Sequence, residues 1–303
     1  MSNKMSGLNV KVRDLVKIHH TGKIEVQALR GLNLDISSGE LVSIIGPSGS
    51  GKSTLLNIIG GLDKATAGIV TVGEKAVTSL SVRQLVDYRR KMVGHIFQNL
   101  NLIPTLTAQE NIEFSMVASG VKRNVRKQRV QELLNVVGLD ARAHHKPEEL
   151  SGGEQQRIAI ASALANDAPI LLADEPTGEL DTANARLIAE HLVRINRELG
   201  KTIIMVTHDP SVARVSTRIL RIEDGVIKTA LAPSEAIGQE KAVSYVDQIK
   251  ARIMEINTQI TQLDSDFRTE KIDGDEYVQK RLSLKQIRDS LKEECSRMGV
   301  IPP

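Results

Sequence analysis

The sequence predicts an α/β protein with a largely parallel sheet, followed by a pair of α-helices. Three observations lead there. Short apolar runs such as Leu41–Ile45, Ile170–Ala173 and Ile203–Val206 have the length and composition of fully buried strands. Segments with helical spacing, among them Ser53–Ile59 and Thr182–Leu199, lie between the runs. Beyond Ala232-Pro233 the strand signals stop, and apolar residues recur every three or four positions instead.

Leu8, Val10 and Val12 alternate with polar neighbours and read as an opening strand. Leu41–Ile45 ends at Gly46, and the helix Ser53–Ile59 follows. Ile69–Val72 is a short strand closed by Gly73. Residues from about 80 to 145 read as mainly helical, with many polar and basic side chains. Ile170–Ala173 and Ile203–Val206 flank the helix Thr182–Leu199, which Gly200 stops. Ile219–Ile222, the turn Glu223-Asp224-Gly225 and Val226-Ile227 make a hairpin.

In the C-terminal part, Val246, Ile249, Ile253, Ile256, Ile260, Leu263 and Phe267 are spaced by alternating threes and fours, the seam of a coiled coil. Ile272-Asp273-Gly274-Asp275 breaks the pattern, and Tyr277, Leu284, Ile287, Leu291 and Met298 mark a second amphipathic helix. The expected organisation is a domain over 1–232, a linker over 233–240 and a helical hairpin extension over 241–303. Asp264, Asp266, Asp273 and Asp275 lack the loop spacing of a calcium-binding EF-hand, so turn and surface roles suit them better.

Composition narrows the classes. Three Phe, three Tyr and no Trp in 303 residues require an aliphatic core. Lys and Arg total 40 against 37 Asp and Glu, a net +3 that argues for no polyanionic partner. The basic run Lys122-Arg123, Arg126-Lys127 and Arg129 has no aromatic residues for base stacking, so a solvated helical face is expected there and no nucleic acid. The single Cys295 fits a reducing compartment. The N-terminus lacks the apolar run of a signal peptide, and no stretch approaches the roughly 20 residues that cross a bilayer. A membrane role therefore requires another subunit to supply the spanning helices.

Gly46-Pro47-Ser48-Gly49-Ser50-Gly51-Lys52-Ser53-Thr54 fits G-x-x-x-x-G-K-[ST], between a strand and a helix. Glycines let backbone N–H groups approach phosphates, and the helix N-terminus favours their charge. Lys52 suits the β- and γ-phosphates of a nucleoside triphosphate, and the Ser53 hydroxyl suits Mg²⁺. The strand Ile170–Ala173 ends in Asp174-Glu175, where ligands bind in parallel sheets. Asp174 is placed to hold a hydrated metal, and Glu175 to act as general base toward water.

Leu150-Ser151-Gly152-Gly153-Glu154-Gln155-Gln156-Arg157 resembles the signature of ATP-binding-cassette (ABC) ATPases. Further motifs follow the family order over about residues 6–230. Gln98 resembles the glutamine-loop residue that contacts metal and attacking water, Glu179-Leu180-Asp181 the D-loop, and His208 the switch histidine that touches the γ-phosphate. The resemblance implies a RecA-like core, an antiparallel β subdomain, a helical subdomain at about 95–165, and the cofactors ATP and Mg²⁺. It also implies a head-to-tail dimer in which Ser151, Gly152, Gly153 and Gln155 act on ATP held by a second copy. Two positions depart from the family pattern. His19, with His20 as alternative, stands where an aromatic residue usually stacks on adenine, and Glu179 stands where Asn is common.

Gln98-Asn99-Leu100-Asn101-Leu102-Ile103-Pro104-Thr105-Leu106-Thr107, with Glu110-Asn111, resembles the branch of lipoprotein-releasing, macrolide-export and FtsE-like ATPases. That branch implies a cytoplasmic ATPase, peripheral on the inner face of the plasma membrane through an integral membrane permease. Export or lipid extraction is the first expectation. FtsE-like control of cell-wall enzymes without transport is the alternative.

Overall fold

The computed structural model describes residues 6–21, 24–178, 180–231, 253, 256–267, 269 and 273–297. The chain divides into two compact units, Met1–Ala236 and Ile237–Pro303.

The first unit holds two sheets. β1 (Val10–Thr21) and β2 (Ile24–Ile36) form a long antiparallel hairpin, and β4 (Ala67–Val72) with β5 (Lys75–Ala76) completes a four-stranded sheet ordered β2-β1-β4-β5. The second sheet has six strands. It contains β3 (Leu41–Ile45), β6 (Val93–Ile96), β7 (Ile170–Asp174), β8 (Thr202–Val206), β9 (Arg218–Glu223) and β10 (Val226–Leu231). Its order is β10-β9-β3-β8-β7-β6, parallel throughout except for β10 against β9.

The helices are α1 (Lys52–Ile59), α2 (Val82–Met92), α3 (Ala108–Ala118), α4 (Arg123–Val137), α5 (Gly152–Leu164), α6 (Thr182–Leu199) and the single turn α7 (Pro210–Ala213). α2, α3 and α5 start with capping boxes built on Ser81, Thr107 and Ser151. Asp181 caps α6, and Gly200, at φ 61°, ends it.

Period-2 alternation divides the core. Leu172, Ile204 and Val206 enter a cluster with α1, α2 and the antiparallel sheet. Their neighbours Leu171, Ala173, Ile203 and Met205 enter a second cluster with α3, α4, α5 and α6. Tyr88 is fully buried in the first cluster, where its hydroxyl donates to the Ile59 carbonyl at 2.8 Å.

Two strands differ from expectation. In β2 the alternation is confined to Leu32, Leu34 and Ile36, because bulges at Ala28 and Gly31 interrupt its pairing with β1 before them. β6 lies inside the stretch expected to be mainly helical; four residues that include Gly94 and His95 carry too little pattern to announce a strand. The boundary expected at 95 for the helical subdomain thus falls within the sheet.

In the second unit, α8 (residues 256–267) and α9 (Gly274–Arg297) fold back on each other. Phe267 and Tyr277 stack with centroids 4.2 Å apart. Asp264 accepts from the Tyr277 hydroxyl at 2.7 Å and from Arg281 Nε at 2.9 Å. Val246, Ile249, Met298, the linker 233–240 and Glu179 lie outside the described residues. No helix among the described residues is long and apolar enough to cross a membrane.

Candidate active site

The loop after β3 can form only with glycine at two points. A Cβ on Gly46 would lie 2.1 Å from the Ile222 carbonyl oxygen, and one on Gly51, at φ 101°, 2.5 Å from that of Ala28. The loop wraps the start of α1, and Lys52 Nζ donates to the Gly46 and Pro47 carbonyls at 2.8 and 2.9 Å. Burial lowers the affinity of Lys52 for its proton, while Glu175 and Asp174 act against that shift. An ammonium has three donors, so Lys52 retains capacity for a phosphate oxygen.

Ser53 Oγ donates to Asp174 Oδ1 at 3.0 Å. Burial raises the Asp174 pKa, opposed by Ser53 and Lys52. No group of three or more His, Cys, Asp or Glu among the described residues could hold a metal alone. One hydroxyl beside one carboxylate is the donor set of a Mg²⁺ ion whose remaining ligands are phosphate oxygens and water, so the residues present fit that ion.

Glu175 follows at the C-terminal end of β7 with φ 48°, a conformation costly for a non-glycine residue. Its N–H donates to the Val206 carbonyl, and its Oε2 lies 2.8 Å from His208 Nδ1. The Glu175 side chain is only 13 % exposed, whereas that of His208 is 69 % exposed. A shielded carboxylate is thereby steered by an open imidazole.

A cleft of about 390 Å³ collects these groups: Ala28, Ser48, Gly49, Gly51, Lys52, Ser53, Thr54, Gln98, Glu175 and His208 line it. Ser50 is buried beneath, with its carbonyl accepting from Gly225 N–H. His19 sits exposed on β1 opposite Val26 and does not line the cleft. A larger groove of about 650 Å³, between α4 and Leu199, holds none of these residues.

The signature residues stand outside the cleft. Ser151 caps α5 by exchanging hydrogen bonds with Glu154. Ser151 and Gly152 are exposed and Gly153 is buried, at a helix start whose first N–H groups have no intrahelical acceptor. Gln155 gives its amide to the Pro147 and Leu150 carbonyls of its own chain. That bonding fixes the turn leading into α5. Asp181 is exposed at the start of α6.

Sequence reasoning treats Asn111 only as part of a branch pattern. In the structure its buried carboxamide donates to the Ile103, Leu106 and Thr107 carbonyls and accepts from Ile103 N–H at 2.8 Å. It clamps the loop after Gln98, in which Leu100 and Asn101 hold positive φ of 50° and 54°. No residue-type signal announces this clamp, because a buried asparagine reads like a surface one.

Residues 29–178 match the ABC transporter family. An uncharacterized ABC transporter ATP-binding protein of Thermotoga maritima is 50 % identical over 221 residues, covering 72 % of this chain and 94 % of its own. The chain belongs to the ABC transporter ATP-binding proteins. The dimeric post-hydrolysis structure of the ATP-binding cassette MJ0796 with ADP and Pi is 44 % identical, with a TM-score of 0.69. It covers 74 % of this chain and 98 % of that one. The macrolide export ATP-binding/permease protein MacB of Escherichia coli strain K12 is 44 % identical over 218 residues, 72 % of this chain but 34 % of MacB. The fold is that of an ABC cassette, and the protein is an ABC-type ATP hydrolase.

Proposed function

We propose that this cassette energises a separate membrane permease, in an exporter or a system that extracts lipid or lipoprotein, and works as a head-to-tail dimer with two shared ATP sites. The observation that carries the reading is spatial. Lys52, Ser53, Gln98, Glu175 and His208 share one cleft, while the N-terminus of α5 lies outside it.

In this reading Lys52 turns part of its hydrogen bonding from loop carbonyls to the β- and γ-phosphates. Ser53 and Asp174 are the residues that would hold Mg²⁺, which supplies charge neutralisation on the phosphates. Gln98 orients the attacking water and Glu175 takes its proton. His208 holds the Glu175 carboxylate in place and faces the γ-phosphate. Ser151, Gly152 and Gly153 of a second copy close over the same ATP. Exposed Phe114 and Val117 on α3, beside the loop clamped by Asn111, supply an apolar face for a permease segment.

Glu175→Gln in the full chain is expected to lower turnover by about 10²–10⁴-fold and to leave a stable dimer in ATP, measured by phosphate release and light scattering. A variant that stays monomeric with ATP bound overturns the shared-site reading.

A further inference from the structure

We propose that Asn184 is a positioning residue that ties Asp181 to the signature glycine Gly153, so that the aim of one chain's signature follows the placement of its own Asp181. The proposal rests on the shared-site reading above.

The tie is a single carboxamide. Asn184 Nδ2 donates to Asp181 Oδ2 at 2.6 Å, and Asn184 N–H donates to Asp181 Oδ1 at 2.9 Å. The other end of the amide lies on the signature: a Cβ on Gly153 would sit 2.6 Å from Asn184 Oδ1 and 3.0 Å from its Cγ. Beside it, Leu180 Cδ2 comes within 3.4 Å of where a Cβ on Gly152 would be. One planar group thus spans from the residue capping α6 to the second residue of α5.

This is more than a helix cap requires. The cap of α6 is complete with the backbone bond from Asn184 N–H to Asp181. The side-chain bond is additional, and it is charge-assisted because its acceptor is a carboxylate. That carboxylate also fixes which way the amide faces, since the reverse flip would set Asn184 Oδ1 against Asp181. A planar carboxamide cannot turn at one end alone. A shift of Asp181 therefore lifts Oδ1 from Gly153 and frees the α5 N-terminus, where Ser151 and Gly152 are exposed.

The test uses full-length chains with Asn184→Ala and Asn184→Asp, measuring ATP turnover, ATP affinity and thermal unfolding. Asn184→Ala is expected to keep ATP affinity and melting temperature while turnover falls about tenfold, a usual size for coupling between sites. Asn184→Asp keeps the shape over Gly153 but sets a second carboxylate against Asp181. Its turnover relative to the parent is expected to be lowest at about pH 8 and to recover toward about pH 5, where two adjacent carboxylates begin to share a proton. A merely structural role moves the melting temperature of Asn184→Asp in step with its turnover over the same pH range, whereas the tie moves turnover alone. Unchanged turnover in Asn184→Ala, or an Asn184→Asp to parent ratio that is flat with pH, overturns the tie. A parent that hydrolyses ATP without ever dimerising overturns the shared-site reading, and the tie with it.

Discussion

The phosphate-loop cleft and the signature end of α5 belong to one chain but are finished to different degrees. In the cleft three reactive side chains already have partners from the same chain: Lys52 on loop carbonyls, Ser53 on Asp174, Glu175 on His208. At the signature, Ser151 and Gly152 are exposed at a helix start, and the bonds of Ser151 to Glu154 and of Gln155 to the Pro147 and Leu150 carbonyls only shape the turn into α5. The difference teaches where binding ends and switching begins. A chain that held both ends of its triphosphate would have no reason to respond to a second copy.

Four changes break or sharpen this contrast. Glu175→Gln carries the largest expected effect, the loss of turnover given above, and it acts on the cleft alone. Lys52→Ala comes next. It removes a cation from the phosphates and is expected to weaken ATP binding about ten- to hundredfold in a nucleotide titration. Unchanged affinity would remove Lys52 from the site.

Asn111→Ala releases the loop behind Gln98 without touching the cleft wall. Turnover is expected to fall by up to about tenfold through misplacement, with ATP affinity kept. Equal losses of both would mean that the clamp serves only folding.

The smallest effect concerns stability. Burial in β6 lowers the His95 pKa from 6.5 to about 4, with Arg89 adding to the shift and the nearby Gly60 backbone opposing it. Between those values the unfolded chain binds the extra proton, so stability falls as pH drops through that window. The expected loss from this residue is about 2 kcal/mol between about pH 7 and about pH 5, read from urea midpoints. His95→Gln is expected to flatten that slope.

The cleft was largely legible because its chemistry is written in contiguous residues. Gly46–Thr54 and Asp174-Glu175 declare themselves by type and by following strands. His208 and Gln98 needed the family resemblance, since a lone His or Gln at a strand end looks ordinary. The start of β1 is legible at Val10 and Val12, whereas bulges break the pattern along the rest of its hairpin with β2, and β6 is too short to show one. Asn111 and Asn184 were illegible for another reason. Their work is done by carboxamides on backbone or side chains brought near by folding, which residue type does not reveal.

The 303 residues contain no tryptophan, so the near-ultraviolet signal comes from three tyrosines and three phenylalanines. One of those tyrosines is sealed against the far end of the helix that begins at Lys52, with its hydroxyl on Ile59. Burial raises its ionisation well above that of an ordinary phenol. Phenolate absorbance from Tyr88 would therefore emerge in alkali only as the domain opens, and a tryptophan placed at a chosen point would report there without background. The scarcity of aromatic residues makes the protein spectroscopically quiet, and one buried phenol serves as its native optical gauge of the domain's integrity.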